Sequence, residues 1–293
     1  MIQEQIEEIF SKKHRNEIVL KELISNEWFN PKVTQGTYLV MDYLDKEHNP
    51  NKQIRVNTLK NKLKSFDKVY EFVETIFVCT TQTYINIPLI SVAAMLAPRL
   101  KDMSTKDAIH TMAEILAILS EIDLYDLFKG KNAQVVLRSR VRLSQDIVEE
   151  LNNLMYLPPM ISEPKTVYST MDSYQYSLPK SSMILGSHLN HHNGNISLDI
   201  LNTLSKQELA IDQEFVKLYK PVKPTKTIQK DWDMYMKQSD YVYSILGNNS
   251  IYITFKPDKR GRVYAQGHHV NSQGDDFHKA VVELANKEYV EIN

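Results

Sequence analysis

The sequence predicts an α+β fold, mainly helical, on three observations. Glycine, the residue that most readily leaves helical backbone, occurs only 8 times in 293 residues. Several long stretches repeat their apolar side chains every three or four positions, as one face of a helix requires. Only two short segments, within 134–143 and 251–255, alternate apolar and polar residues like a half-buried strand. A hydrophobic share of 42% in a chain of this length can fill two cores or one large one.

Residues 1–24 read as an amphipathic helix with Ile6, Ile9, Phe10, Ile18, Leu20 and Leu23 as its apolar set. The pairs Asn30-Pro31 and Asn49-Pro50 are expected to turn helix into loop, with 57–77 and 88–100 helical again. The strongest pattern follows Ser104, a ready N-cap with Asp107 three residues on, where Ile109, Met112, Ile115, Leu116 and Leu119 form one face. His110 on that helix reads as a packing or surface residue. In "QVVLRSRVRL" (134–143) the period of two puts Arg138, Arg140 and Arg142 opposite Leu137, Val141 and Leu143. The basic face of that strand is either a solvated edge or turned to phosphate. Ser144 is placed to cap a helix over 145–156, which Pro158 and Pro159 end. The domain boundary falls here, with 1–150 as a mostly helical N-terminal domain.

Residues 157–196 are rich in loop signals. His188, His191 and His192 lack paired thiols or carboxylates at ligand spacing, so no metal is assigned to them. A helix is expected over 196–217 with Leu198, Leu201, Leu204, Leu209, Ile211 and Phe215 inward. It runs into a connector bearing Lys217, Lys220, Lys223, Lys226 and Lys230, which Pro221 and Pro224 keep extended. Such a run is ordinarily a solvated loop; the sharper reading is a groove tracking a nucleic-acid backbone. The last segment reads helix, strand "IYITF", loop, helix, with Phe277, Ala280, Val281, Leu284 and Ala285 as the final apolar face.

A net charge of −1 means that any polyanion must be held by local patches rather than by a general positive field. The single cysteine, Cys79, precludes an internal disulfide or cysteine-rich zinc site and points to a reducing compartment; it reads as a small buried hydrophobe. No signal peptide is read at the acidic start, and the longest apolar run, 87–98, is too short for a membrane span.

The candidate site is "DKRGRVYA" (258–265). Asp258 and Arg262 stand four apart, Gly261 permits backbone that other residues avoid, and an arginine fork steadied by a carboxylate suits phosphate. Taken alone, this is most simply a salt-bridged turn.

The longer segment resembles the single-subunit RNA polymerases of bacteriophages and mitochondria. Asp258, Arg260, Gly261, Arg262 and Tyr264 match the family's D-x-R-G-R-x-Y pattern, and Asn271, Gly274, Asp276 and Lys279 match the spaced residues after it. The preceding helix and apolar strand, and more weakly the proline-rich loop and helix before the thumb, are similar too. The resemblance implies a palm segment beside the active centre, contacting template DNA and the RNA:DNA hybrid. Arg262, with Arg260 beside it, would hold phosphate, and Asp258 would orient that arginine or the RNA end. Tyr264 would lie near the templating base, Lys279 would contact template, and Asn271 and Gly274 would shape the loop.

In that family the aspartates that bind two magnesium ions, and the fingers, lie well downstream. The resemblance therefore places no catalytic or metal-binding residue in this chain and implies a second polymerase subunit that supplies both. That organisation is similar to the two-subunit RNA polymerase II of N4-like phages, with this chain as the small subunit. Residues 151–227 would form linker loops and a reduced thumb, in which Lys220, Lys223 and Lys226 contact backbone, and 228–293 the first part of the palm. Further implied are template DNA and nascent RNA as partners, a recruiting accessory factor, no membrane, and the cytoplasm of an infected bacterial host. A palm ending here would leave strand edges unpaired and apolar faces exposed. A non-catalytic helical adaptor binding nucleic acid or protein, and a fragment of a longer polymerase, stay open as alternatives.

Overall fold

The computed structural model describes residues 2–82, 86–130, 133–186 and 196–286. It is α+β and mainly helical, and divides into two compact units: a first, of residues 1–15 and 149–293, and a second, of residues 16–148. His188, His191 and His192 lie outside the described residues.

The helix expected over 1–24 is two helices, α1 (Gln3–Ile9) and α2 (Lys12–Ile24). Ser11 makes the break: its hydroxyl accepts the His14 N–H at 3.0 Å and starts a new helix instead of continuing the old one. Both Asn-Pro pairs begin helices rather than end them. Pro31 lies in the first turn of α3 (Phe29–Asp45), where a missing N–H removes no helical bond. Asn49 caps α4 (Pro50–Lys62) by accepting from the Lys52 N–H at 3.0 Å. The helix expected over 57–77 divides at Ser65, the N-cap of α5 (Phe66–Thr81). Cys79 on α5 is buried.

α6 (Leu89–Leu96) precedes α7 (Thr105–Leu119), whose Ser104 cap accepts the Asp107 N–H at 3.1 Å. Met112, Ile115, Leu116 and Leu119 are fully buried, Ile109 is half-buried, and His110 is exposed. On the flank of α7, Glu114 accepts from Tyr43 Oη at 2.6 Å and Arg55 at 3.0 Å, tying α3 and α4 to it. A small antiparallel sheet of β1 (Ile87–Pro88), β2 (Tyr125–Lys129) and β3 (Val135–Ser139) completes the second unit in the order β1-β3-β2. β3 stops short of the expected 134–143, so Arg140 and Arg142 follow the strand. Arg138 and Arg140 are bound to Asp126, at 3.4 and 2.6 Å, and Arg140 also to Asp123 at 3.1 Å, so that side is largely neutralised.

α8 (Gln145–Asn153), in which the chain passes from the second unit to the first, ends short of the prolines, and in the first unit two-residue strands β4 (Met171–Asp172) and β5 (Ser181–Ser182) pair within the long coil that follows. The helix expected over 196–217 is α9 (Leu198–Ser205), strand β6 (Leu209–Ile211) and α10 (Gln213–Leu218). Leu209 exchanges backbone bonds with Ile251 at 2.9 and 2.8 Å, and β6 pairs with β9 (Val282–Leu284), so tertiary pairing overrides local helical preference. The final helix is likewise cut to α12 (Asp276–Val281), with Ala280 and Leu284 exposed instead of inward. Between them, α11 (Gln229–Leu246) leads through Ile251 and Ile253, both fully buried, into the hairpin β7 (Phe255–Pro257) and β8 (Val263–Ala265). These pack on Val242, Leu246, Val270 and Val281 as the core of this unit. Residues 219–228 contain neither helix nor strand, as the prolines require.

The start of the chain is pinned to this unit by a buried carboxylate. Glu7 accepts from the N–H groups of Tyr176 and Ser177 at 3.0 and 2.6 Å, from Ser177 Oγ at 2.8 Å and from Gln3 Nε2 at 3.0 Å. Burial alone would raise its pKa; the hydrogen bonds more than reverse this and hold it below 4.5. The stability it contributes is therefore complete above pH 4.5 and is lost as pH falls through the depressed value. Glu7→Ala should destabilise the first unit by roughly 3 kcal/mol, since four donors lose a charged acceptor. Urea unfolding followed by Trp232 fluorescence in a Trp28→Phe background measures the loss, and Glu7→Gln should flatten the acid limb.

Candidate functional site

The residues 258–262 form the turn of the β7–β8 hairpin. Pro257 faces Val263, Asp258 N–H bonds to Arg262 C=O at 2.8 Å, and Gly261 N–H bonds to Asp258 C=O at 3.0 Å. Lys259, Arg260 and Gly261 are thus a three-residue loop, whose last position is left-handed: Gly261 has φ +83°. A side chain there would meet no atom within 4 Å, so glycine is required by backbone angle and not by crowding.

Asp258 organises the turn. Its Oδ1 accepts the N–H groups of Arg260 and Arg262 at 2.9 and 3.0 Å, while Oδ2 takes Arg262 Nε at 2.7 Å and Nη2 at 2.6 Å. Desolvation would raise its pKa, but the Arg262 side chain and backbone outweigh this and hold the carboxyl below the usual range. The fork of Arg262 is fixed by one edge, and its remaining N–H groups are exposed. Arg262 lies 5.7 Å from the Tyr264 ring, and the half-buried Tyr264 donates its hydroxyl to Asp258 at 3.4 Å. With Lys259 and Arg260 also exposed, the tip presents three cations around one acid. Beside it lies a cavity of about 390 Å³ whose floor includes Ile184, Leu201 and Val263.

The edges of the hairpin are not left open. Gln273 accepts from Ala265 N–H at 2.9 Å and donates to Val263 C=O at 3.3 Å, standing in for a neighbouring strand. On the other side Ser205 Oγ accepts the Phe255 N–H at 3.0 Å and Pro257 C=O accepts from Leu185 at 2.8 Å. Asn271 shapes the loop, donating to Gly267 C=O at 3.0 Å and accepting from Gln273 N–H at 2.8 Å. Gly274 is needed for a close approach, because a Cβ there would lie 2.6 Å from His278 Cβ. Lys279 stands on the exposed side of α12, 3.7 Å from Asp276. Of the connector lysines, Lys220 lies 3.7 Å from Asp240 and Lys223 donates to Thr227 C=O at 3.0 Å, while Lys226 is exposed.

Sequence reasoning missed a ring cluster from separate segments. Tyr156 stacks on His268 at 3.6 Å, Tyr235 lies 4.8 Å from His269, and His278 bridges Asp275 at 2.6 Å and Tyr235 Oη at 2.7 Å. The doublet His268-His269, between the motif's tyrosine and asparagine, was its one visible sign. His269 is buried with neither ring nitrogen hydrogen-bonded. Among the described residues no group of three His, Cys, Asp or Glu side chains could hold a metal ion, and no helix is long and apolar enough to cross a membrane.

Replacing Asp258 by Ala should raise hydrogen exchange at the Arg260 and Arg262 amides by about tenfold each, leaving Ile253 protected. The His269 imidazole is pushed down to about 3 from 6.5 by burial and by His268 and His278. Its contribution to stability is full above pH 6.5 and is lost as pH falls toward 3, by up to about 1.4 kcal/mol per pH unit. Denaturation midpoints between pH 7 and 4 should show that slope in the parent and a shallower one in His269→Phe.

Neither a protein-family comparison nor a search of curated proteins finds a match to this sequence.

Proposed function

We propose that this chain is the small subunit of a two-chain, DNA-directed RNA polymerase of the single-subunit type. In this reading it binds template DNA and the RNA:DNA hybrid, while a second chain brings the magnesium-binding aspartates and the fingers. The observation that carries it is the Asp258–Arg262 lock at the hairpin tip, at the residues where the sequence matches the polymerase pattern. A guanidinium fixed in advance loses little side-chain entropy when it takes a phosphate, so it can place a polyanion relative to the chemistry. Lys259 and Arg260, the latter 3.5 Å from Asp258, add charge, and Lys279 and the connector lysines extend the phosphate-binding surface. Asn271 and Gly274 hold the loop that braces the hairpin. Magnesium bound by the partner would activate the RNA 3′-hydroxyl and stabilise the leaving pyrophosphate. Leu218 and Ile228, 76% and 62% exposed at the ends of the connector, are large apolar groups suited to cover by another chain. The expected setting is the cytoplasm of an infected bacterium, with an accessory factor recruiting the enzyme to promoters.

The test is co-purification from the producing cells, followed by magnesium-dependent RNA synthesis on single-stranded and nicked templates. A polymerase-type second chain should co-purify. Arg262→Ala should lower RNA synthesis by about a hundredfold with the complex intact, and Arg262→Lys should recover part of it. If no RNA-synthesising partner is found, the adaptor reading replaces this one. Replacing Lys220, Lys223 and Lys226 together by Ala should shorten transcripts and lower the salt slope of template binding by about 2 to 3. An unchanged slope removes the connector from the interface.

A further inference from the structure

We infer a second nucleic-acid element in the first unit: the cavity between the lysine connector and α11 takes an unpaired base of a single strand whose phosphates follow the connector. The cavity measures about 370 Å³ and is lined by Tyr156, Pro221, Pro224, Trp232, Tyr235 and His268 among others. Its walls are flat. Trp232 and Tyr235 stack at 5.3 Å and 17°, Tyr156 and His268 at 3.6 Å and 16°, and the two pairs meet edge-on where Tyr235 and His268 lie 5.7 Å apart at 71°. Such walls fit a planar ring better than an aliphatic chain.

The walls are also held in place. His278 donates or accepts at both ring nitrogens, to Asp275 at 2.6 Å and Tyr235 at 2.7 Å, and Gln238 is fixed by its bond to Asn152 C=O at 2.8 Å. Asp231, Gln238 and His278 put a few polar groups among the rings, as a heterocycle with a hydrogen-bonding edge needs. Charge selects the rest of the ligand. Residues 217–230 contain five lysines and no acid, and among the described residues Lys226 and Lys230 have no acidic partner. A stacking surface beside a row of cations is how single strands are bound without regard to sequence. A base confined in a duplex could not enter. The cavity's role rests on the connector contact proposed above and does not depend on the hairpin.

Trp28→Phe leaves Trp232 as the reporter. Titration with an oligodeoxythymidylate of about twelve nucleotides should quench its fluorescence saturably and less at high salt, while a duplex of that length should not. Trp232→Leu should weaken binding of a labelled oligonucleotide by about tenfold, and Trp232→Phe, which keeps a ring, should retain most of it. The quench is read on this chain alone, with no second subunit and no RNA synthesis, so failure here and failure of the polymerase reading are distinguishable. The inference is overturned if the oligonucleotide does not bind, binds without quenching, binds Trp232→Leu equally well, or if the duplex quenches as strongly. Quenching by a proline-rich peptide and not by the oligonucleotide would assign the cavity to a protein partner instead.

Discussion

The burial of one carboxylate, that of Glu7, is the constraint on which the first unit depends. Between α8 and α9 the described chain has no regular structure beyond the two short strands β4 and β5, so side chains must satisfy much of its backbone. Glu7 holds Tyr176 and Ser177, Gln3 accepts the Ile161 N–H at 2.8 Å, and Asn202 bonds Val167 at both its N–H and its C=O. The far end of that coil supports the hairpin. Ser182 C=O accepts from Lys256 Nζ at 3.0 Å, and Leu185 N–H bonds to Pro257 C=O. Burial lowers the pKa of Lys256, the sign of a cation enclosed by this support. The tip is thus hung from a coil that is itself hung from α1.

Aspartate–arginine pairs occur in both units with opposite consequences. Along the β2–β3 pair and its flanks two acids meet two arginines, and the field of Arg138 and Arg140 is largely spent within the protein. At the hairpin one acid meets two arginines beside the exposed Lys259, so the pair fixes geometry while net positive charge remains. Counting arginines would rank the two places alike; their carboxylates separate them.

What could be read from the sequence was what is local. The cap at Ser104, the buried face of α7 and the extended connector depend on residues within a turn or two of one another. The turn at 258–262 was legible for the same reason, since its acid and arginine are four residues apart. The misreadings are of two kinds. Proline after asparagine marks a helix start as well as a stop, and Asn49-Pro50 is a start. Leu209 and Ile211 satisfy strand and helix spacing alike, and only their distant partners, Ile251 and the strand after α12, decide between them. The ring cluster was hidden because Tyr156, Tyr235, His268 and His278 come from four separate places in the chain.

The division of the chain also bears on how it is made. The first unit is discontinuous, with residues 16–148 interposed between its two parts. Glu7 emerges from the ribosome 169 residues before Tyr176, its first backbone donor. At typical elongation rates this leaves α1 without its main polar partners for roughly ten to thirty seconds. The second unit has all of its residues by then and can close first. An amphipathic helix with Ile6, and Phe10 just after it, unburied must meanwhile wait, and that nascent stage, rather than the finished protein, is where a chaperone would have most to hold.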